Sequence, residues 1–183
     1  CRLGDATHGH ALGLFTSYSL MGAVYNQVKG RMAFPLMEVW RHSQDVIHRF
    51  KQAQNAVLFA AGSCWEGVDF PGDMVSSLII VRLPFPVPDP LSEAEREQYP
   101  TLQDSIKTVV IPDMQVKLRQ GFGRAIRTET DTCVVSILDR RSAPGERYHK
   151  AVLETLPPIR ITAKIEDVED FIRAKKGPDY FMP

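Results

Sequence analysis

Four short apolar runs constrain this chain most: ALGLFT at 11–16, AVLFAA at 56–61, LIIVRL at 78–83 and CVVSILD at 133–139. Each is too short for a buried helix and is apolar nearly throughout instead of alternating, the pattern of a strand covered on both faces. Such strands belong to parallel sheets, whose connections cross over the sheet and lay helices on its faces. The intervening segments can supply those crossovers. Residues 18–29 have helical spacing, and so do 45–54, where Val46, Ile47 and Phe50 share a side. A further strand is predicted at 36–40. The alternation of strands and helices predicts one doubly wound α/β domain over the whole chain.

Pro84, Pro86, Pro88 and Pro90 end the 78–83 strand, because proline lacks the N–H that ladder and helix both need. The acidic segment Ser92-Glu93-Ala94-Glu95-Arg96-Glu97 comes next, so 84–112 is predicted as a surface connection or small insertion. A helix over about 114–127 leads into the last strand, and two more are predicted near 146–155 and 165–176.

Composition narrows the classes of function. Apolar residues make up 44% of the 183, with no long uninterrupted apolar run, which predicts a globular chain and argues against a membrane span. Cys1, Cys64 and Cys133 lie far apart and form no C-x-x-C pair, so neither a disulfide framework nor a zinc site is expected, and the setting reads as reducing and cytoplasmic. Lys and Arg number 22 and Asp and Glu 22, so any nucleic-acid contact must come from a local patch. The start has neither an initiating Met nor a signal-peptide pattern and reads as a cut from a longer protein. The five histidines lack ligand spacing such as H-E-x-x-H, and His8 and His10 sit in a start expected to be mobile, so no metal is assigned. Ser63 is outside any G-x-S-x-G elbow, which disfavours nucleophilic hydrolysis.

Chemistry concentrates in three places. On the 114–127 helix, Gln120, Arg124 and Arg127 fall at i, i+4 and i+7 and share a polar face, with Leu118, Phe122, Ala125 and Ile126 on the apolar side. Planar guanidinium forks on a rigid helix suit phosphate oxygens, while the bland reading is a solvated basic face. Gly121 and Gly123 each cost roughly 1 kcal/mol relative to alanine inside a helix and call for a packing or functional reason. The loop 62–72, directly after a strand, sits where open α/β sheets bind ligands. There Ser63 and glycine-flanked amides can donate to a nucleic-acid phosphate, and Asp69 can accept from a ribose hydroxyl or pair with an arginine. The alternative for this loop is a well-capped turn around a packed Trp65. Thr16-Ser17, at the end of the first strand, suits either a phosphate or a helix N-cap. Asp139, before Arg140 and Arg141, is expected to be structural or to orient an arginine.

In order, strand-Thr-Ser-helix, G-S-x-W-E-G-V-D-F-P-G, L-P-F-P-x-P, Q-G-F-G-R-A-I-R and I-L-D-R-R closely resemble the DinG/XPD family of superfamily two DNA helicases, over roughly residues 12–157. The resemblance implies the second motor domain of such an enzyme: a RecA-like three-layer α/β/α sandwich with a mostly parallel central sheet, carrying helicase motifs IV, V and VI. It implies that Arg124 and Arg127 are arginine fingers facing ATP and that Gln120 supports the nucleotide or couples it to DNA. Asp69 and Glu66, with Gly67 and Gly123, fall on the ATP side; Thr16, Ser17 and Ser63 touch the single-stranded DNA backbone, and Trp65 lines the DNA path. A 5′ to 3′ polarity and a role in DNA repair or replication are also implied.

No G-x-x-x-x-G-K-[ST] loop and no D-E-x-H box occurs in the sequence, so the main ATP cradle and its Mg²⁺ are expected on an N-terminal helicase domain, as are the iron–sulfur cysteines of those relatives that have them. The chain alone is therefore expected to be inactive. Two rival readings stand beside this one: the motor-fold domain of a DinG-like exonuclease, and a nucleic-acid-binding scaffold with a dead ATP site.

Overall fold

The structure is a computed structural model; it describes residues 1–182 apart from His42, Glu66, Asp69, Pro71, Pro88, Asp89 and residues 127–130. α1 (Arg2–Ala6) precedes β1 (Ala11–Phe15), and α2 (Tyr18–Val28), β2 (Leu36–Val39), α3 (Gln44–Gln52) and β3 (Val57–Ala61) follow. Two 3-10 turns, Gly62–Trp65 and Gly72–Val75, lead to β4 (Ser77–Ile80). Next come α4 (Pro90–Arg96), α5 (Leu102–Ser105), a π-helical turn Ile106–Val110, α6 (Ile111–Phe122) and β5 (Val134–Ile137). α7 (His149–Leu153), α8 (Glu166–Lys175) and a 3-10 turn Pro178–Phe181 lie after them.

The strands form one sheet in the order β2-β3-β1-β4-β5, with every neighbouring pair parallel. Successive residues of β1 feed opposite faces, which is why the run has to be apolar throughout. Leu12 and Leu14 join Leu58, Leu78 and Ile80 in a core covered by Ile47 and Phe50 of α3, Met114 and Leu118 of α6 and Val152 of α7. Ala11 and Phe15 join Val57 and Phe59 on the other face, where Met21 of α2 covers them. Helices on both faces of a parallel sheet make the three-layer α/β/α arrangement.

Several boundaries differ from the sequence reading, each for a local reason. The stretch 84–112, expected as a connection, is helical at Pro90–Arg96 and again from Leu102 onward. Pro112 at the start of α6 does not break this helix, because the preceding turn is π-helical and the first turn of α6 needs no proline N–H. At the far end α6 stops at Phe122 and not near 127, with Gly123 as its C-cap. Arg124 therefore lies in the turn beyond the helix, and the expected i, i+4, i+7 face ends at Gln120. Arg127 is outside the described residues. The start, expected to be mobile, is held: His10 is 8% exposed and stacks on Tyr180 at 4.0 Å between centroids.

That stacking belongs to a seal over the amino ends of the strands. The Tyr180 hydroxyl donates to the Thr7 carbonyl at 2.8 Å. Lys176, its side chain 4% exposed, pairs with Asp73 and donates to the Thr132 carbonyl at 3.1 Å. Burial lowers the pKa of His10, favouring the neutral ring.

Gly121 inside α6 and Gly123 at its C-cap separate cleanly. A Cβ on Gly121 would lie 2.8 Å from the Trp65 ring, whereas on Gly123 the nearest atom would be 3.5 Å away. Overpacking costs about 1–3 kcal/mol and outweighs or cancels the roughly 1 kcal/mol that alanine gains in helix propensity. Gly121→Ala should lower the urea midpoint and Gly123→Ala should leave it unchanged or raise it; the reverse order would refute packing as the reason for Gly121.

Candidate functional site

In a parallel sheet all carboxyl ends meet on one side, and here they set the candidate residues in a row. Gly62 and Ser63 follow β3, Thr16 and Ser17 follow β1, Arg82 lies just beyond β4, and Asp139 to Arg141 follow β5. Thr16, Ser17, Ser63 and Gly67 are all exposed. The Ser17 hydroxyl caps α2 by accepting from the Leu20 N–H at 3.2 Å, so the capping half of its two readings is realised. At Ser63 the carbonyl, not the hydroxyl, is engaged, accepting from the Gly67 N–H at 2.8 Å.

Trp65 corrects an expectation. Its ring is 1% exposed and packs in the core, so it cannot line a DNA path. The indole N–H donates to the Phe15 carbonyl at 2.9 Å, and the ring fills the space that Gly121 leaves open on α6. Its place is fixed by physics: a large apolar ring with one donor is stable inside only where that donor finds an acceptor. The buried side chain thereby joins the end of β1, the loop after β3 and α6.

Arg124 closes the same circuit from the other side. Its Nη1 donates to the Val68 carbonyl at 3.0 Å and its Nε to the Gln120 carbonyl at 3.3 Å. These bonds use part of a five-donor fork, so the side chain is aimed while retaining donors for another group. Gln120 is exposed beside it. Glu66, Asp69 and Arg127 fall outside the described residues, and no group of three or more His, Cys, Asp or Glu that could hold a metal is present among those described.

At the β5 end a cavity of about 270 Å³ is lined by Val81, Arg82, Leu138, Asp139 and Arg141. Asp139 accepts from the Arg141 side chain at 2.7 and 3.0 Å and from the Leu83 backbone N–H at 3.0 Å. Arg141 also lies 4.9 Å from the Phe85 ring centroid. Hydrogen bonding from Arg141, more than its charge alone, holds the Asp139 carboxyl at about 2, below its ordinary 3.8. The aspartate is thus a brace between the β4 and β5 ends that also orients an arginine. The sequence reading passed over Tyr18, Trp40 and Arg41 at the carboxyl ends of β1 and β2. Their aromatic and basic character was visible, but only the fold brings 18 next to 40.

A family model described as "Helicase C-terminal domain" matches residues 1–159. The ATP-dependent DNA helicase YoaA of Escherichia coli (strain K12) is 35% identical over 171 residues, 92% of this chain and 27% of that protein. The protein named 3′-5′ exonuclease DinG of Bacillus subtilis (strain 168) is 31% identical over 172 residues, 89% of this chain and 18% of that protein. A solved apo XPD structure superposes with a TM-score of 0.65 at 24% identity, covering 84% of this chain and 32% of that one, which shows the shared fold. The chain thus spans about a quarter or less of the length of these curated relatives.

Because the folded-state pKa of Asp139 is depressed, its contribution to stability is complete above the ordinary 3.8 and is lost as the pH falls through about 2. Asp139→Asn should cost about 1–3 kcal/mol at neutral pH, as expected for hydrogen bonds to a charged group. In urea titrations the gap between variant and wild type should close across that acid range, and a gap that stays constant there would show that the ion pair contributes nothing.

Proposed function

The chain belongs to the helicase C-terminal domain family, and from that premise we propose that it is the second motor domain of a DinG/XPD-like ATP-dependent DNA helicase. One observation carries the reading. Trp65 bonds to the residue before Thr16-Ser17 and packs against the residue after Gln120, while Arg124 is tethered to the loop that carries Ser63. Groups suited to a nucleotide phosphate and groups suited to a strand backbone are therefore one mechanical unit.

In this reading, residues 1–183 form one domain, and ATP sits between it and an N-terminal motor domain of the same polypeptide. That partner provides the phosphate cradle and holds Mg²⁺, for which this chain has no phosphate loop. Arg124 and Arg127 reach across the cleft and stabilise charge on the transferred phosphoryl, and Gln120 orients the nucleotide. Glu66, Gly67, Asp69 and Gly123 border the nucleotide side. Thr16, Ser17 and Ser63 hold backbone phosphates of single-stranded DNA, so closing the cleft moves the strand with the domain. The protein works in the cytoplasm in DNA repair or replication, with 5′ to 3′ polarity.

The name of the Bacillus subtilis relative favours one second reading, in which the same motor fold serves an exonuclease. Degradation of a 3′-labelled strand by the full-length protein separates the two.

In the full-length protein, Arg124→Ala should lower DNA-stimulated ATP turnover on the order of a thousandfold, within the range of arginine fingers, while DNA binding persists. Arg124→Lys should not restore it, because a point charge lacks the planar fork. Arg127→Ala should behave like Arg124→Ala. ATP turnover equal to wild type in both alanine variants would remove the arginine-finger assignment, and none in the wild type would leave the exonuclease or a nucleic-acid-binding scaffold.

A further inference from the structure

Trp40 follows the last residue of β2 and is 45% exposed, in contrast to the buried Trp65. It belongs to neither core cluster. Its indole stacks on Tyr18 with centroids 5.6 Å apart and planes 16° from parallel, and it rests on α2 at Gly22, where a Cβ would lie 3.5 Å from the ring. The Arg41 guanidinium stands 5.7 Å from the Tyr18 centroid. Tyr18 immediately follows Ser17, and its hydroxyl would lie 2.9 Å from a Cβ on Gly62. This aromatic surface thus adjoins both segments assigned to the strand backbone, Thr16-Ser17 and Gly62-Ser63.

A tryptophan that is held in place yet keeps nearly half its surface open gains little from folding. Such a ring is suited to an external flat partner, since the order it imposes is already present before binding. The adjacent cation selects the partner's charge. Resting on the single-strand reading above, we propose that Trp40, Tyr18 and Arg41 form a stacking shelf for one nucleobase of that strand, with Arg41 holding a neighbouring phosphate. Every base has a π-face, so the shelf adds affinity without reading sequence.

The test measures binding of the full-length protein to a labelled oligothymidylate and to an abasic strand of equal length. Trp40→Ala should weaken binding to the base-bearing strand by about five- to a hundredfold and leave the abasic strand unaffected, and Trp40→Phe should keep most of the wild-type affinity. A 2-aminopurine placed in the strand should lose fluorescence on binding wild type, and less on binding Trp40→Ala. Equal losses on both strands would mark Trp40 as a structural or protein-contact residue and overturn the shelf, as would no loss on either. Wild type that binds both strands equally well would also overturn it while the backbone contacts stand. Wild type that binds neither would remove the single-strand reading and the shelf together.

Discussion

The buried hydrogen bond from the Trp65 indole to the Phe15 carbonyl, 2.9 Å long, is the constraint on which the rest of the site depends. Without it the ring would carry an unsatisfied donor into the core, a cost of about 1–3 kcal/mol. With it, the ring is locked against α6 so closely that a Cβ at 121 would lie 2.8 Å from it. Three segments distant in sequence thus hold a common geometry, and none of them can shift without disturbing a close-packed contact. Arg124 extends the same lock outward through the Val68 carbonyl.

The two edges of the sheet are chemically unlike. At the amino edge α8 and the turn after it seal the strand ends: Tyr180 covers His10, and Lys176 is buried against Asp73 and the Thr132 carbonyl. At the carboxyl edge the strands end in short polar turns, with Thr16, Ser17 and Ser63 open to solvent. Asp139 braces the β4 and β5 ends there and neutralises Arg141, leaving Arg82 exposed at the mouth of the adjoining cavity. Local charge of this kind is what a chain with equal numbers of basic and acidic side chains can offer a polyanion.

The elements at the sheet centre were legible because burial on both faces leaves a signature in composition. β1 and β3 lie within one residue of their expected limits for that reason. The end of α6 was not legible, since Gly123, Arg124 and Ala125 fit a helix as well as the turn they form; backbone bonds from Arg124 and Ala125 to carbonyls three residues back decide it. The helical stretch before α6 was hidden by Pro112, whose usual meaning is reversed by the π-helical turn ahead of it.

The sequence by itself determined the parallel α/β class, the family, and which short segments carry polar chemistry, because those depend on periodicity and on motifs of fixed spacing. Only the tertiary structure decided which tryptophan is which. Trp65, in the richest motif, is buried because Phe15 offers an acceptor and Gly121 offers room. Trp40, in no motif, stays open at the last strand of the sheet, with Tyr18 and Gly22 of α2 against its ring. Burial of a side chain is set by neighbours that the chain brings from elsewhere, and no local pattern around either residue records them.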